Sequence, residues 1–230
     1  MVILDILNLI KIIATITTTL IAVIIGIRVF LLNKNDWLNR WFALFFISSS
    51  IGFLIYSIYH LILNNAEIII PLMITAQIFF NFNVIALVMT VLILEKYNKA
   101  AMSIRYFGTL ILLFLVMSIG YFFFIPTLDI TAYAEGIVDT NTPIGWLVVV
   151  NALRISLAIY VSAKYILIAK KLEDDTKNKI NWFSVGVIVI IIGLFLNLAG
   201  GALLSPIVEI LALLMIDIGS ILILKAFLLT

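Results

Sequence analysis

Apolar residues gather along this chain in seven long stretches, near residues 8–32, 37–63, 70–95, 106–125, 144–170, 182–203 and 206–228. A membrane-crossing helix takes about 20 mostly apolar residues, and each stretch reaches that length. Inside a bilayer no water is present to satisfy backbone groups, so an unbroken apolar run crosses as a helix that bonds to itself. The pattern predicts an all-α fold: one integral membrane domain, residues 1–230, of seven transmembrane helices. Polar punctuation supports the boundaries. Asp36 can cap the second helix, and Thr142 before Pro143 and Ser205 before Pro206 place a cap and a proline at helix starts. Gly200 and Gly201 are expected to end the sixth helix, with a tight hairpin to Pro206. The first residues lack the basic segment of a cleaved signal peptide, so the first stretch is read as a retained helix.

The placement of basic residues orients the predicted helices. Arg28, Lys34 and Arg40 flank the first connection, Lys96, Lys99 and Arg105 the third, and Lys170, Lys171, Lys177 and Lys179 the fifth. Lys164 and Lys225 lie toward the same side, which collects twelve of the 14 basic residues. The even-numbered connections hold none, and the longest of them carries Asp129, Glu135 and Asp139. Positive charge marks cytoplasmic loops, so the N-terminus is expected outside the cell and the C-terminus in the cytoplasm, with the chain in the plasma membrane. The three acids should attract cations and repel anions at the outer surface.

Composition narrows the chemistry. Hydrophobic residues make up 65% of the chain and charged residues only 11%, where a soluble domain carries about 25% charged; mean hydropathy is +1.29. The lipid bilayer is therefore the expected solvent, with no room for a soluble catalytic or nucleic-acid-binding domain. Without cysteine there is no disulfide, thiolate metal site or thiol nucleophile. One histidine cannot supply two haem ligands, and the last helix has no central lysine for a retinal Schiff base. HExxH, GxSxG and phosphate-loop motifs are missing. The reading is of a non-enzymatic protein without cofactor or metal.

An ionisable group at the bilayer centre costs about 2.5–3.5 kcal/mol on insertion scales, so such groups are paired or functional. Arg154 in the fifth helix and Asp217 in the seventh lie about three turns from the same side, roughly 15–17 Å deep at 1.5 Å per residue. Equal depth and opposite charge predict an intramembrane ion pair, serving as a staple, a switch or part of an ion path. A second set lies in the outer half: His60, Gln77, Asn81, Asn151, Asn197 and Glu209, with Lys11 near the outer end of the first helix. These are interhelical hydrogen bonds or the walls of a ligand pocket. Asn83 is expected to face away from Asn81. All four prolines lie near outer helix ends, which offers no proline-broken helix for a transport site. The run from Lys170 to Lys179 allows several i,i+4 ion pairs and is expected to prolong the fifth helix beyond the membrane, as a solvated end or a docking surface for a cytoplasmic signalling partner.

Three features belong together: Asn39-Arg40-Trp41-Phe42 opening the second helix, the basic turn from Glu95 to Lys99, and the charged connection Lys170 to Lys179 before a Gly- and Asn-containing sixth helix. In these the layout resembles the seven-helix membrane sensor domains at the N-termini of some prokaryotic histidine kinases. That resemblance implies a receptor-like role, with a ligand entering from outside and a response passing through the cytoplasmic loops. Since the sequence stops at Thr230, directly after the seventh helix, the expectation is either a signal passed to a separate partner or a chain truncated at that point. Two other roles fit the same residues: a small transporter or channel using Arg154 and Asp217, and a structural subunit of a membrane complex or oligomer.

Overall fold

The computed structural model describes residues 5–228, with the side chains of Asp174, Asp175 and Leu228 left aside. The chain folds into α1 (Ile6–Leu32), α2 (Trp37–Leu61), α3 (Ile69–Ala101), α4 (Thr109–Phe123), β1 (Thr127–Leu128), α5 (Ile130–Ala134), β2 (Thr140–Asn141), α6 (Ile144–Ala169), α7 (Asp174–Leu203) and α8 (Pro206–Leu228). Seven helical segments, all but the short α5, are long and apolar enough to cross a membrane. The fourth gains its length from a wide helical turn, Ile104–Gly108, that leads into α4. The molecule is a multi-pass membrane bundle. Ile- and Val-rich runs are poor helix formers in water, but in lipid the self-bonded helix is the backbone's only unpenalised state.

Several starts and stops follow from local chemistry. Asp5 and Asp36 cap α1 and α2, each accepting from the backbone N–H two residues on. Pro206 occupies the first position of α8. Pro143 itself is the cap residue of α6, so Thr142 stands one place too early to cap it. α7 runs past Gly200 and Gly201 to Leu203 and stops on the left-handed Leu204 (φ 52°), so those glycines do not end it. They lie against other helices instead: a methyl group at Gly200 would fall 3.0 Å from Glu209 N. α3 breaks at Tyr97 (φ 61°, ψ 162°) before one last turn.

The helices form a ring. α1 packs on α2 and α8, α2 on α3, α3 on α6, α6 on α7 and α7 on α8, while α4 lies outside the α3–α6 seam. Two consequences correct the sequence reading. α7 separates α6 from α8, so the helices carrying Arg154 and Asp217 are not packed along one another. The charged segment after Ala169 does not prolong α6: the chain turns at Lys170–Glu173 and opens α7. The ion pairs expected through Asp174 and Asp175 lie outside the described side chains.

The ring turns its polar side inward. Along α1, Asn8, Lys11, Thr15, Thr18, Ala22, Ile25 and Val29 are buried at a 3-4 spacing, whereas Leu9, Ile13, Ile16, Leu20 and Ile24 are exposed. Such inversion suits lipid, where apolar surface gains nothing by hiding and polar groups must find protein partners. The α7–α8 hairpin packs backbone on backbone, since a methyl at Gly186 would lie 2.7 Å from Gly219 O, and one at Gly219 would lie 2.7 Å from Gly186 O.

At the end away from the N-terminus, hereafter the basic end, rings from four helices interlock. Phe42 meets Phe183 edge-on at 5.6 Å and Phe227 at 5.8 Å, and Tyr165 meets Phe183 at 4.8 Å. The Tyr165 hydroxyl donates to Thr90 Oγ1 at 2.7 Å, tying in α3 as well.

Candidate functional site

Two confluent cavities occupy the ring. The first, about 80 Å³, opens at the N-terminal end and is lined by Lys11, Tyr59, His60, Tyr121, Asp139 and Asn151. The second, about 140 Å³, lies deeper and is walled by Phe45, Phe46, Phe53, Phe80, Leu87 and Leu213 among others. Tyr56, Gln77, Arg154, Asn197 and Glu209 line both, so they form the neck between a polar vestibule and an apolar chamber. The next turn toward the basic end carries the interlocked rings of Phe42, Tyr165, Phe183 and Phe227.

The loop between α4 and α6 roofs the vestibule. β1 and β2 pair antiparallel, Thr127 opposite Asn141 and Leu128 opposite Thr140. Asp129 caps α5, its Oδ1 accepting from Thr131 N at 2.9 Å and Ala132 N at 3.0 Å. Val138 plugs into the bundle at 1% exposure and carries Asp139 to the vestibule wall. Of the three loop acids, one is therefore a structural cap and one faces the cavity.

Arg154 dominates the neck. Its Nε donates to Asn81 Oδ1 at 3.0 Å, and its Nη2 donates to the same oxygen at 2.6 Å and to Gln77 O at 3.2 Å. Asn81 is held in turn, donating to Ser118 Oγ at 3.3 Å. Among the described residues no carboxylate lies within 4 Å of the guanidinium, and the Tyr121 hydroxyl is its other polar neighbour. Asp217 is elsewhere: it faces α1 and accepts a hydrogen bond from Thr18 Oγ1. The expected Arg154–Asp217 pair is thus replaced by Arg154–Asn81 and Thr18–Asp217. Matched depth was insufficient, because Arg154 points to the α3 side of α6 and Asp217 to the α1 side of α8.

The buried ion pair at this end is Lys11 Nζ to Glu209 Oε2, 2.6 Å, with Lys11 1% exposed. It belongs to a seam along α1 whose polar residues alternate between neighbours. Asn8 Nδ2 donates to His60 O of α2 at 2.7 Å, Lys11 reaches Glu209 of α8, Thr15 Oγ1 meets Ser57 Oγ of α2 at 2.7 Å, and Thr18 reaches Asp217 of α8. The spacing 8, 11, 15, 18 carried this signal in the sequence, but the residues do not share one chemistry and only Lys11 stood out.

The remaining candidates divide by role. His60 Nδ1 donates to Tyr56 O at 2.8 Å and the rings stack at 4.1 Å, so its position is set by its own helix and the aromatic wall. Gln77 Oε1 accepts from the Tyr121 hydroxyl at 3.1 Å. Asn151 Nδ2 donates to Leu147 O at 3.0 Å, and its buried Oδ1 has no partner. Asn83, expected to face away, lines the apolar chamber. Five of the six pocket candidates, His60, Gln77, Asn151, Asn197 and Glu209, line the vestibule or neck, and Asn81 stands behind Arg154. No family model, curated protein or solved structure matches the chain.

Proposed function

We propose that this protein is a sensor- or receptor-like membrane protein whose ligand enters the ring from the N-terminal end. The observation that carries the reading is the stepped cavity: a polar vestibule, a neck holding a buried cation, and a mostly apolar chamber with interlocked aromatic rings on the turn beyond it. Past the neck the chamber wall is mostly apolar, with Ser49, Asn83 and Ser220 as scattered polar side chains, which favours holding a ligand over passing one through. Binding in such a chamber would press on α7 and α8, whose far ends carry Trp182 and Lys225 in contact, Nζ 3.5 Å from the ring centroid. The response would be read by a separate protein at that basic end. The charge distribution favours an orientation with the N-terminal end outside the cell and the basic end in the cytoplasm.

Two measurements test this. Tags inserted between Lys34 and Asp36, or between Lys171 and Lys179, should be shielded in intact cells, and a tag between Thr131 and Thr140 should be reachable; the reverse pattern would invert the assignment. Proteoliposomes carrying the protein should show no solute flux under conditions where a bound ligand changes Trp182 fluorescence. Flux that depends on Arg154 would replace the sensor with a transporter.

A further inference from the structure

Arg154 is 5% exposed, has no carboxylate within 4 Å among the described residues, the neck's Glu209 being held by Lys11, and stands where a polar space narrows into an apolar one. A buried cation is stabilised by hydrogen-bonded anions. Asn81 Oδ1 and Gln77 O provide dipoles but no charge, and they use only Nε and Nη2. The missing charge faces the cavity. Below it the chamber is apolar and ringed by Phe45, Phe46, Phe53 and Phe80, with a volume of about 140 Å³. An apolar protein cavity of about 150 Å³ accommodates benzene. From this geometry we infer that the neck and chamber bind a small organic carboxylate with a benzene-sized apolar body, its carboxylate on the Arg154 guanidinium and its body among the phenylalanines.

Both hydrogens of Nη2 are taken by Asn81 Oδ1 and Gln77 O, so Nη1 is the nitrogen left to meet the carboxylate, in a charge-assisted hydrogen bond. Lys11 does not compete, because Glu209 Oε2 already holds it at 2.6 Å. Asn151 Oδ1, three residues before Arg154 and without a partner, is an acceptor and does not hold the acid. It suits a hydroxyl or ammonium substituent beside the carboxylate. Asp139 at the vestibule wall repels an incoming anion, which lowers the association rate at low salt and acts weakly on the bound state, farther down at the neck.

This inference rests on the cavity being a ligand site, and its test is binding to the purified full chain in detergent. The probes are 3-phenylpropionate, its uncharged analogue 3-phenylpropanol, and acetate. The expected result is saturable, heat-measured binding of 3-phenylpropionate, with both analogues at least ten-fold weaker. Asn81→Asp supplies Arg154 with an internal carboxylate while keeping its acceptor, so it should retain the fold and weaken 3-phenylpropionate at least ten-fold without weakening 3-phenylpropanol. Ala158→Phe, which fills the chamber, should weaken both. Equal binding of acid and alcohol, absence of acid binding, or unchanged acid affinity in Asn81→Asp would each overturn the assignment. Acid binding accompanied by transport would retain the ligand class and remove the sensor. A response at Trp182 to another class of compound, without acid binding, would do the opposite.

Discussion

Arg154 and Asn81 meet at a single oxygen: Nε and Nη2 of the arginine both donate to Asn81 Oδ1, at 3.0 and 2.6 Å. One neutral amide thus carries most of the polar contact of a cation buried between α3 and α6. Hydrogen bonds to charged groups are worth about 1.5–3 kcal/mol. Asn81→Leu should therefore destabilise the protein by about that amount, whereas Asn81→Asp should leave the thermal midpoint at or above wild type. A leucine variant as stable as the parent would show that Arg154 has another anchor.

The Lys11–Glu209 pair joins the first and last membrane helices. Breaking a buried pair from one side strands the other charge, typically at about 3–5 kcal/mol. Lys11→Met and Glu209→Gln should each lower the unfolding midpoint in detergent more than the double variant does. Equal or additive losses would show that the pair is solvated and contributes little.

Arg154 and Asp217 provide the complementary test. They have separate partners on opposite sides of the ring, and independent sites add to within about 0.3–0.5 kcal/mol. The losses from Arg154→Met and Asp217→Asn should therefore sum in the double variant. A coupling energy above about 1 kcal/mol would restore the direct pair.

Helix contact in the α7–α8 hairpin is testable by single methyl groups. Gly186→Ala and Gly219→Ala would each place a methyl 2.7 Å from a backbone oxygen of the facing helix. Overpacking of this kind costs about 1–3 kcal/mol, against a helix-propensity gain of about 1 kcal/mol. Both should lower stability, while Gly145→Ala, with nothing within 4 Å of the added methyl, should be neutral or stabilising. Stable variants at Gly186 and Gly219 would mean the two helices can part without penalty.

Hydropathy alone carried the helix count, because each run had only one way to satisfy its backbone in lipid. It also carried the depth of each polar residue, which is why five of the six candidates converge on one vestibule and neck. Depth is one coordinate, however, and contact needs rotation about the helix axis and helix order as well. Arg154 and Asp217 share the first and differ in both of the others. The Lys11–Glu209 pair lies within a turn or two of the helix ends, where snorkelling is an equally good reading of a sequence. The end of α6 at Ala169 was hidden for a similar reason: the residues that follow are good helix formers, and what stops them is the turn into α7, which depends on the packing of two long helices side by side.

Two backbones in direct contact behave as one mechanical part. At Gly186 and Gly219 the facing backbone oxygens and the side chains of Ile223 and Ile190 leave no room for even a methyl group, and sliding one helix along the other would drive these groups into the facing chain. The hairpin can tilt or swing against the remaining five membrane helices, but it cannot shear internally. Under the proposed sensor reading, a push from the chamber against Leu213 or Ile216 would be carried along the hairpin to Trp182 and Lys225 at the far end. The stroke there would be set by lever length rather than by how many contacts the ligand makes.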